Sequence, residues 1–310
     1  MKGIVFAVVA AVIAGAGSSD QRPSDGLPAR TLEIDAVALD AQERPVEDLT
    51  AADIEVWIAG ARVPVEALVA VDAAQQDSGG RAIAVILDDV TVQPGLVPLV
   101  KRAADRLLQR IVPEDRVAII GLAAGFMKPT GDQDLLLRRL EQYNLRASGF
   151  VRPDDLGAQV LGTVADASRQ LAEGPGRRKT IVAIGSASLF DRPIPPSVAG
   201  RDLQREWVQA MRAMAHGHAN LYVIDPGGVG MALPTGGDTG FAREAGGHAF
   251  TNTNDLAGAV DRILREASRY HVITVTDPPI HRKAPLRELD VRSRRPGVTV
   301  RARRGVPGWS

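Results

Sequence analysis

Residues 81–91 read Arg-Ala-Ile-Ala-Val-Ile-Leu-Asp-Asp-Val-Thr, an unbroken apolar run from Ala82 to Leu87 that stops at two adjacent aspartates. A continuous Ile/Val/Ala run of this length reads as a strand buried on both faces, the kind found in parallel sheets covered by helices. Open α/β sheets bind ligands outside the carboxyl ends of their strands, near the point where strand order reverses. Asp88 and Asp89 are therefore the first candidate site residues, and Thr91 follows them closely enough to contribute.

Downstream, strand and helix patterns alternate. Leu96, Leu99, Val100, Ala103, Leu107 and Ile111 form one helical face, stopped by Pro113. Val117–Gly121 is the next buried strand, and Phe126–Pro129 is expected as its edge neighbour. Thr130-Gly131-Asp132 is expected to cap a helix carrying Leu135, Leu136, Leu140 and Tyr143, and Asp154 and Asp155 to cap another running through Leu171. Strands at Thr180–Ile184, Leu221–Ile224 and His248–Phe250 alternate with helices at Leu203–Met214 and Asp255–Ser268. Over residues 80–268 this predicts a mostly parallel sheet with helices on both faces, an α/β fold of Rossmann type.

The flanks follow a different period. Leu32, Ile34, Ala36 and Ala38 alternate with polar residues, as do Ile54, Val56 and Ile58, and a tight connection at Ala59–Arg62 leads to Val63, Val65 and Leu68. This predicts a small antiparallel unit over residues 31–72. After Ser268 helical periodicity ends: Val272, Thr274 and Thr276, then Leu286, Leu289 and Val291, then Val298, Val300 and Ala302 read as strands, with turns at Asp277-Pro278-Pro279 and Arg295-Pro296-Gly297. Residues 269–305 are expected to return and pair with residues 31–72, giving a β module built from both chain ends.

At 310 residues and 45% hydrophobic composition the chain can bury one large domain, or one large and one small. Lys+Arg and Asp+Glu both number 37, so no net charge steers it to nucleic acid or an anionic membrane. The Arg-rich stretch 292–304 alternates with Val and reads as a half-exposed strand. The absence of cysteine excludes disulfides, thiolate metal sites and a lipid-modified cysteine anchor. Lys2, the apolar run Gly3–Gly17 and the small residues Ala14-Gly15-Ala16 form a signal-peptide pattern over residues 1–16, with a flexible leader at 17–30. The run falls short of the ~20 residues of a spanning helix. The expectation is export to the periplasm, cell envelope or medium with no membrane span after cleavage; an uncleaved anchor is the alternative.

Arg44-Pro45-Val46-Glu47-Asp48-Leu49-Thr50-Ala51-Ala52-Asp53, Ile86-Leu87-Asp88, Ile111-Val112-Pro113-Glu114-Asp115-Arg116-Val117-Ala118, Pro129-Thr130-Gly131-Asp132, Ala245-Gly246-Gly247-His248-Ala249-Phe250 and Val298–Gly305 occur in that order. Together they resemble the von Willebrand factor A-related proteins of the acidobacterial type, over roughly residues 31–305. The resemblance implies a von Willebrand A domain, and a protein–protein binding role in which Mg²⁺ or Mn²⁺ at the sheet edge holds a partner carboxylate. A hard cation prefers oxygen ligands, and one open coordination position serves as the socket. The family pattern is Asp-x-Ser-x-Ser after the first strand, a Thr from a later loop and an Asp after a further strand. Here Asp88 matches, but Val90 and Val92 replace the serines, residues 147–155 lack the Thr, and Ile184-Gly185-Ser186 lacks the Asp.

These departures predict that the standard cation site is lost, with Asp88 and Asp89 satisfied by backbone amides or an arginine. The alternative is an altered oxygen cage of Asp88, Asp89, Thr91 and Asp154 or Asp155. The expected function is a non-enzymatic interaction with an unidentified protein partner, through a rim of Asp88, Asp89, Thr91, Ser186, Phe190 and Asp225. Long loops after two strands, 187–200 and 225–240, would add Leu189, Met231 and Leu233 to it. An enzyme alternative rests on Ser186, Asp225 and His248, which occur in the α/β-hydrolase order but without a nucleophile elbow or a recognisable oxyanion loop. Gly227-Gly228-Val229-Gly230 opens no helix and so does not suit a dinucleotide. His216 and His218 suit a helix terminus better than a zinc site.

Overall fold

The computed structural model describes residues 30–73, 80–146, 153–190, 200–229, 240–277 and 284–308. The signal-peptide segment and its leader lie outside the described residues, as do Met231 and Leu233. Strands β1 (Arg30–Leu39), β2 (Ile54–Ile58), β3 (Ala61–Val63) and β4 (Val65–Asp72) come first. The α/β part follows: β5 (Ala82–Leu87), α1 (Val97–Leu108), β6 (Arg116–Gly121), α2 (Gln133–Glu141), α3 (Pro153–Ala172), β7 (Lys179–Ile184), α4 (Gly200–His216), β8 (Ala219–Ile224), α5 (Gly240–Glu244), β9 (Ala249–Phe250) and α6 (Leu256–Ser268). Strands β10 (Arg269–Asp277), β11 (Leu286–Ser293), β12 (Thr299–Ala302) and β13 (Gly305–Pro307) close the chain.

The central sheet is parallel throughout, in the order β6-β5-β7-β8-β9. Every residue of β5, β7 and β8 is buried because helices cover both faces. Strand alternation divides β5 between two cores: Ala84 and Ile86 pack with α3, α4 and α5, while Ile83, Val85 and Leu87 pack with α1, α2 and α6. Asp132 caps α2 by accepting from the Leu135 amide at 2.9 Å, and Asp255 caps α6 by accepting from the Gly258 amide at 2.8 Å.

Three local expectations are corrected. Phe126–Pro129 is not a strand: only isolated antiparallel bridges, Val117 with Thr130 and Gly121 with Gly125, tie this segment to β6. Asp154 and Asp155 do not cap α3; the helix begins at Pro153, whose preset φ suits a first position, so both follow the helix start. Residues 31–72 do not form one antiparallel unit, because β1 and β2 belong to different sheets.

Those sheets are β12-β1-β10-β4 and β13-β11-β2-β3. Each joins strands from both chain ends: β1 pairs antiparallel with β10 from Arg30–Asp277 to Ala36–His271, and β2 with β11 from Ile58–Leu289 to Ile54–Ser293. Ile34, Val56, Ile58, Ile273, Val275 and Leu289 fill the space between them, so the module is a sandwich. It docks where β7 and β8 begin. There the buried Asp35 carboxylate accepts from Arg177 Nε at 2.7 Å and lies 3.1 Å from His218 Nδ1. Burial alone would raise the Asp35 pKa, but the His218 hydrogen bond and the charges of Arg303 and Arg177 hold it below the ordinary carboxylate value. The opposite, carboxyl edge of the sheet is left for the candidate site.

Candidate functional site at the carboxyl edge

The chain passes from β5 to β6 on one side and then crosses to β7 on the other, so strand order reverses between β5 and β7. In such sheets the crevice at that point is the usual ligand position. Here Asp88 fills it. Its backbone amide donates to Ile184 O at 3.1 Å, which keeps it in register with the end of β7. Gly185 lies against the side chain: a Cβ on Gly185 would come within 2.2 Å of Asp88 Cβ. Only glycine allows this approach.

The Asp88 carboxylate is fully buried and accepts four protein donors. Oδ1 takes the amides of Val90 (3.1 Å) and Thr91 (2.7 Å); Oδ2 takes Thr91 Oγ1 (2.5 Å) and the Ser186 amide (3.2 Å). A carboxylate has about four lone-pair sites, so none is left over. Asp89, 1% exposed, turns towards β6, where Oδ1 and Oδ2 accept the amides of Ala123 (2.8 Å) and Ala124 (2.9 Å). Arg146 Nε lies 3.9 Å from it. Tyr143 Oη donates to Asp88 O at 2.7 Å. Burial, then the charges of Asp88 and Asp89, raise the Tyr143 pKa, so it stays a protonated donor.

The remaining predicted residues divide. Ser186 is partly exposed, and its Oγ lies 2.8 Å from Ser188 Oγ. The Asp225 carboxylate accepts the amides of Ala187 (3.0 Å) and Gly227 (2.7 Å), binding two rim loops together. Phe190 is fully buried in the core between the sheet and α4, and Leu189 beside it is 9% exposed; the expectation of apolar contacts from these two residues on an open rim is corrected. Their own short helical turn, Ala187–Leu189, folds them inward. Among the described residues that reach solvent at this edge are Thr91, Ala123, Phe126, Arg146, Ser188 and Val229, with Phe126 and Val229 40% and 63% exposed.

Ser186, Asp225 and His248 are not linked to one another through their side chains. His248 precedes β9, and its carbonyl accepts from the Val223 amide, below the level of Asp225. Its ring packs edge-on against Phe250 at 4.8 Å. Burial first, and then the charges of Arg301 and Arg262, lower its pKa to about 4. His218 belongs to the Asp35 cluster at the other end of the sheet.

Val90 and Val92 offer no oxygen side chains to a cation, the Asp88 carboxylate already accepts four protein donors, and Gly185 lies against its flank. Asp89 points to a separate loop, and the side chain of Asp154 lies outside the described residues. Among the described residues no cluster of three or more His, Cys, Asp or Glu side chains could hold a metal ion. Sequence reasoning missed Gly185 and Tyr143 as parts of this site. The Gly immediately after a buried strand was the available signal for the first; Tyr143 read only as a core residue of α2, although it stands just past the helix end.

No family model matches the chain, and no curated protein matches it. Among solved structures it is similar to an aerotolerance-related membrane protein from Bacteroides fragilis NCTC 9343 carrying multiple mutations to serines. The match has 18% identity and a TM-score of 0.42, and it covers 61% of this chain and 98% of that one. No helix among the described residues is long and apolar enough to cross a membrane.

Proposed function

We propose that this chain is an exported, non-enzymatic protein-interaction module of von Willebrand A type, in which a self-satisfied aspartate replaces the cation socket. The observation that carries this reading is the Asp88 carboxylate, buried at the switch point with four protein donors. A socket needs an acceptor left open for the ion. This aspartate instead ties the first turn after β5 to the start of the loop after β7. Asp225 does the same between the loops after β7 and β8, so the edge is a braced surface whose exposed groups include Thr91, Ser188, Phe126, Val229 and the guanidinium of Arg146. The motif order along the sequence supports the family assignment, and the amino-terminal pattern supports export.

The test is thermal unfolding of the full chain in excess Mg²⁺ or Mn²⁺ against excess chelator, with no shift expected. Selective binding to the folded state at 100 times Kd would add about 2.7 kcal/mol, and a shift of that order abolished by Asp88→Ala would overturn the reading. Ester hydrolysis by the chain that is lost in Ser186→Ala would equally overturn the non-enzymatic part. Export is tested by fusing residues 1–30 to a reporter that is active only outside the cytoplasm.

A further inference from the structure

The arginine-rich stretch 292–304 holds six arginines, and five of them have their charge matched. Arg292 pairs with Asp290 (2.5 Å), Arg294 with Glu55 (2.9 Å), Arg295 with Asp48 (2.7 Å) and Arg301 with Glu266 (2.5 Å). Arg303 is buried, and Asp35 supplies its counter-charge. Arg304 differs: it is exposed, and among the described residues no carboxylate pairs with it. A stretch neutralised to this degree is no track for a nucleic acid backbone, which needs several unmatched cations in a row. Its unmatched charge is local.

The backbone fixes where that charge sits. The Arg304 amide donates to Glu244 O at 2.9 Å, and its carbonyl accepts from the Leu289 amide at 2.7 Å. Arg304 thereby lines a hollow of about 300 Å³ where the end of α5 and the approach to β9 meet β11 and β12. Arg243, His248, Thr299 and Arg301 line it too. Among the described residues of the lining Asp290 is the only acid, and Arg292, outside the hollow, already holds its carboxylate through Nε (2.7 Å) and Nη2 (2.5 Å). Glu266, behind Arg301, is buried and shared by Arg262, Arg301 and the Tyr222 hydroxyl.

The field at this wall is positive. After burial, the charges of Arg301 and then Arg262 lower the pKa of His248, and Glu266 and Glu43 oppose them with smaller effects. His248 is partly exposed and neutral near pH 7, so it keeps one N–H to donate. A guanidinium presents a planar fork of donors that matches two oxygens of a carboxylate or phosphate. The volume is at the lower end for small-ligand sites, enough for such a group on a small organic body.

We propose that this hollow binds a small molecule through a multivalent oxyanion, a phosphate or paired carboxylates, held by the Arg304 guanidinium, with Arg243 and Arg301 adding charge and His248 a donor. Three arginines line the hollow against one acid that is matched from outside, so a doubly charged group gains more here than a singly charged one. The site lies on the flank of the central sheet and does not depend on the rim around Asp88.

The experiment is an amide-detected NMR titration of the full chain with sodium pyrophosphate and with sodium citrate, each compared with sodium chloride at equal ionic strength. The expected result is saturable shifts centred on Gly247, His248 and Arg304 that chloride does not produce. Arg304→Gln removes the charge-assisted bonds and should weaken binding by about tenfold or more. Arg102→Gln, which removes an exposed charge from α1, should leave it unchanged. The tighter of the two probes assigns the head group to phosphate or to carboxylate. Arg304 has no side-chain partner to lose, so its variant should keep the wild-type spectrum elsewhere. Shifts that follow ionic strength alone, equal weakening in both variants, binding untouched by Arg304→Gln, or no saturable binding of either probe would overturn the site.

Discussion

Replacing Asp88 with alanine separates a structural wedge from a metal ligand by the sign of its effect. The substitution strips acceptors from three backbone amides and one hydroxyl, all at the junction of β5 and β7. Each orphaned buried donor costs on the order of 1–3 kcal/mol, with water recovering part of the loss for Thr91, which is exposed. Removing one side of a buried charged network typically costs about 3–5 kcal/mol, and that is the loss expected here. A cation-ligating aspartate behaves in the opposite way without its ion, since removing its unpaired charge is neutral or stabilising. The assay is equilibrium urea unfolding of the wild-type and Asp88→Ala chains in chelator, with two probes to check two-state behaviour. A loss below about 1 kcal/mol, or a gain, would refute the wedge argument.

Gly185→Ala should destabilise by about 1–3 kcal/mol through overpacking against Asp88, and the same urea titration reads it. If its cost comes from that contact, the double variant with Asp88→Ala should be less than additive. Arg287 forms a buried two-bond pair with Asp277 (2.6 and 2.7 Å), so Arg287→Ala should cost about 3–5 kcal/mol and loosen the sandwich, seen as faster amide exchange in β10 and β11. His248 has a folded-state pKa lowered to about 4 from an ordinary 6.5. The unfolded chain therefore binds the extra proton first as pH falls below 6.5, and stability drops between pH 6.5 and 4, by at most about 3 kcal/mol. His248→Gln should flatten that part of the stability–pH curve; an unchanged slope would refute the assignment.

The sequence by itself determined the α/β part. The unbroken run Ala82–Leu87 can be buried only if both faces are covered, and the helical faces at Leu99–Leu107 and Leu203–Met214 supply the cover, one to each face, because hydrophobic period is a local property of the chain. It also marked Asp88 as special and showed, in Val90 and Val92, that the familiar oxygen ligands were missing. Tertiary structure alone decided what Asp88 does instead. Its donors come from Val90 and Thr91 nearby but also from Ser186, 98 positions away, and nothing in the local pattern encodes that approach. The same holds for Phe190, which reads as a rim residue until its turn folds it into the core. Strand partners were likewise undetermined: alternation shows that β1 and β2 each have one buried face, but not that they face each other from different sheets.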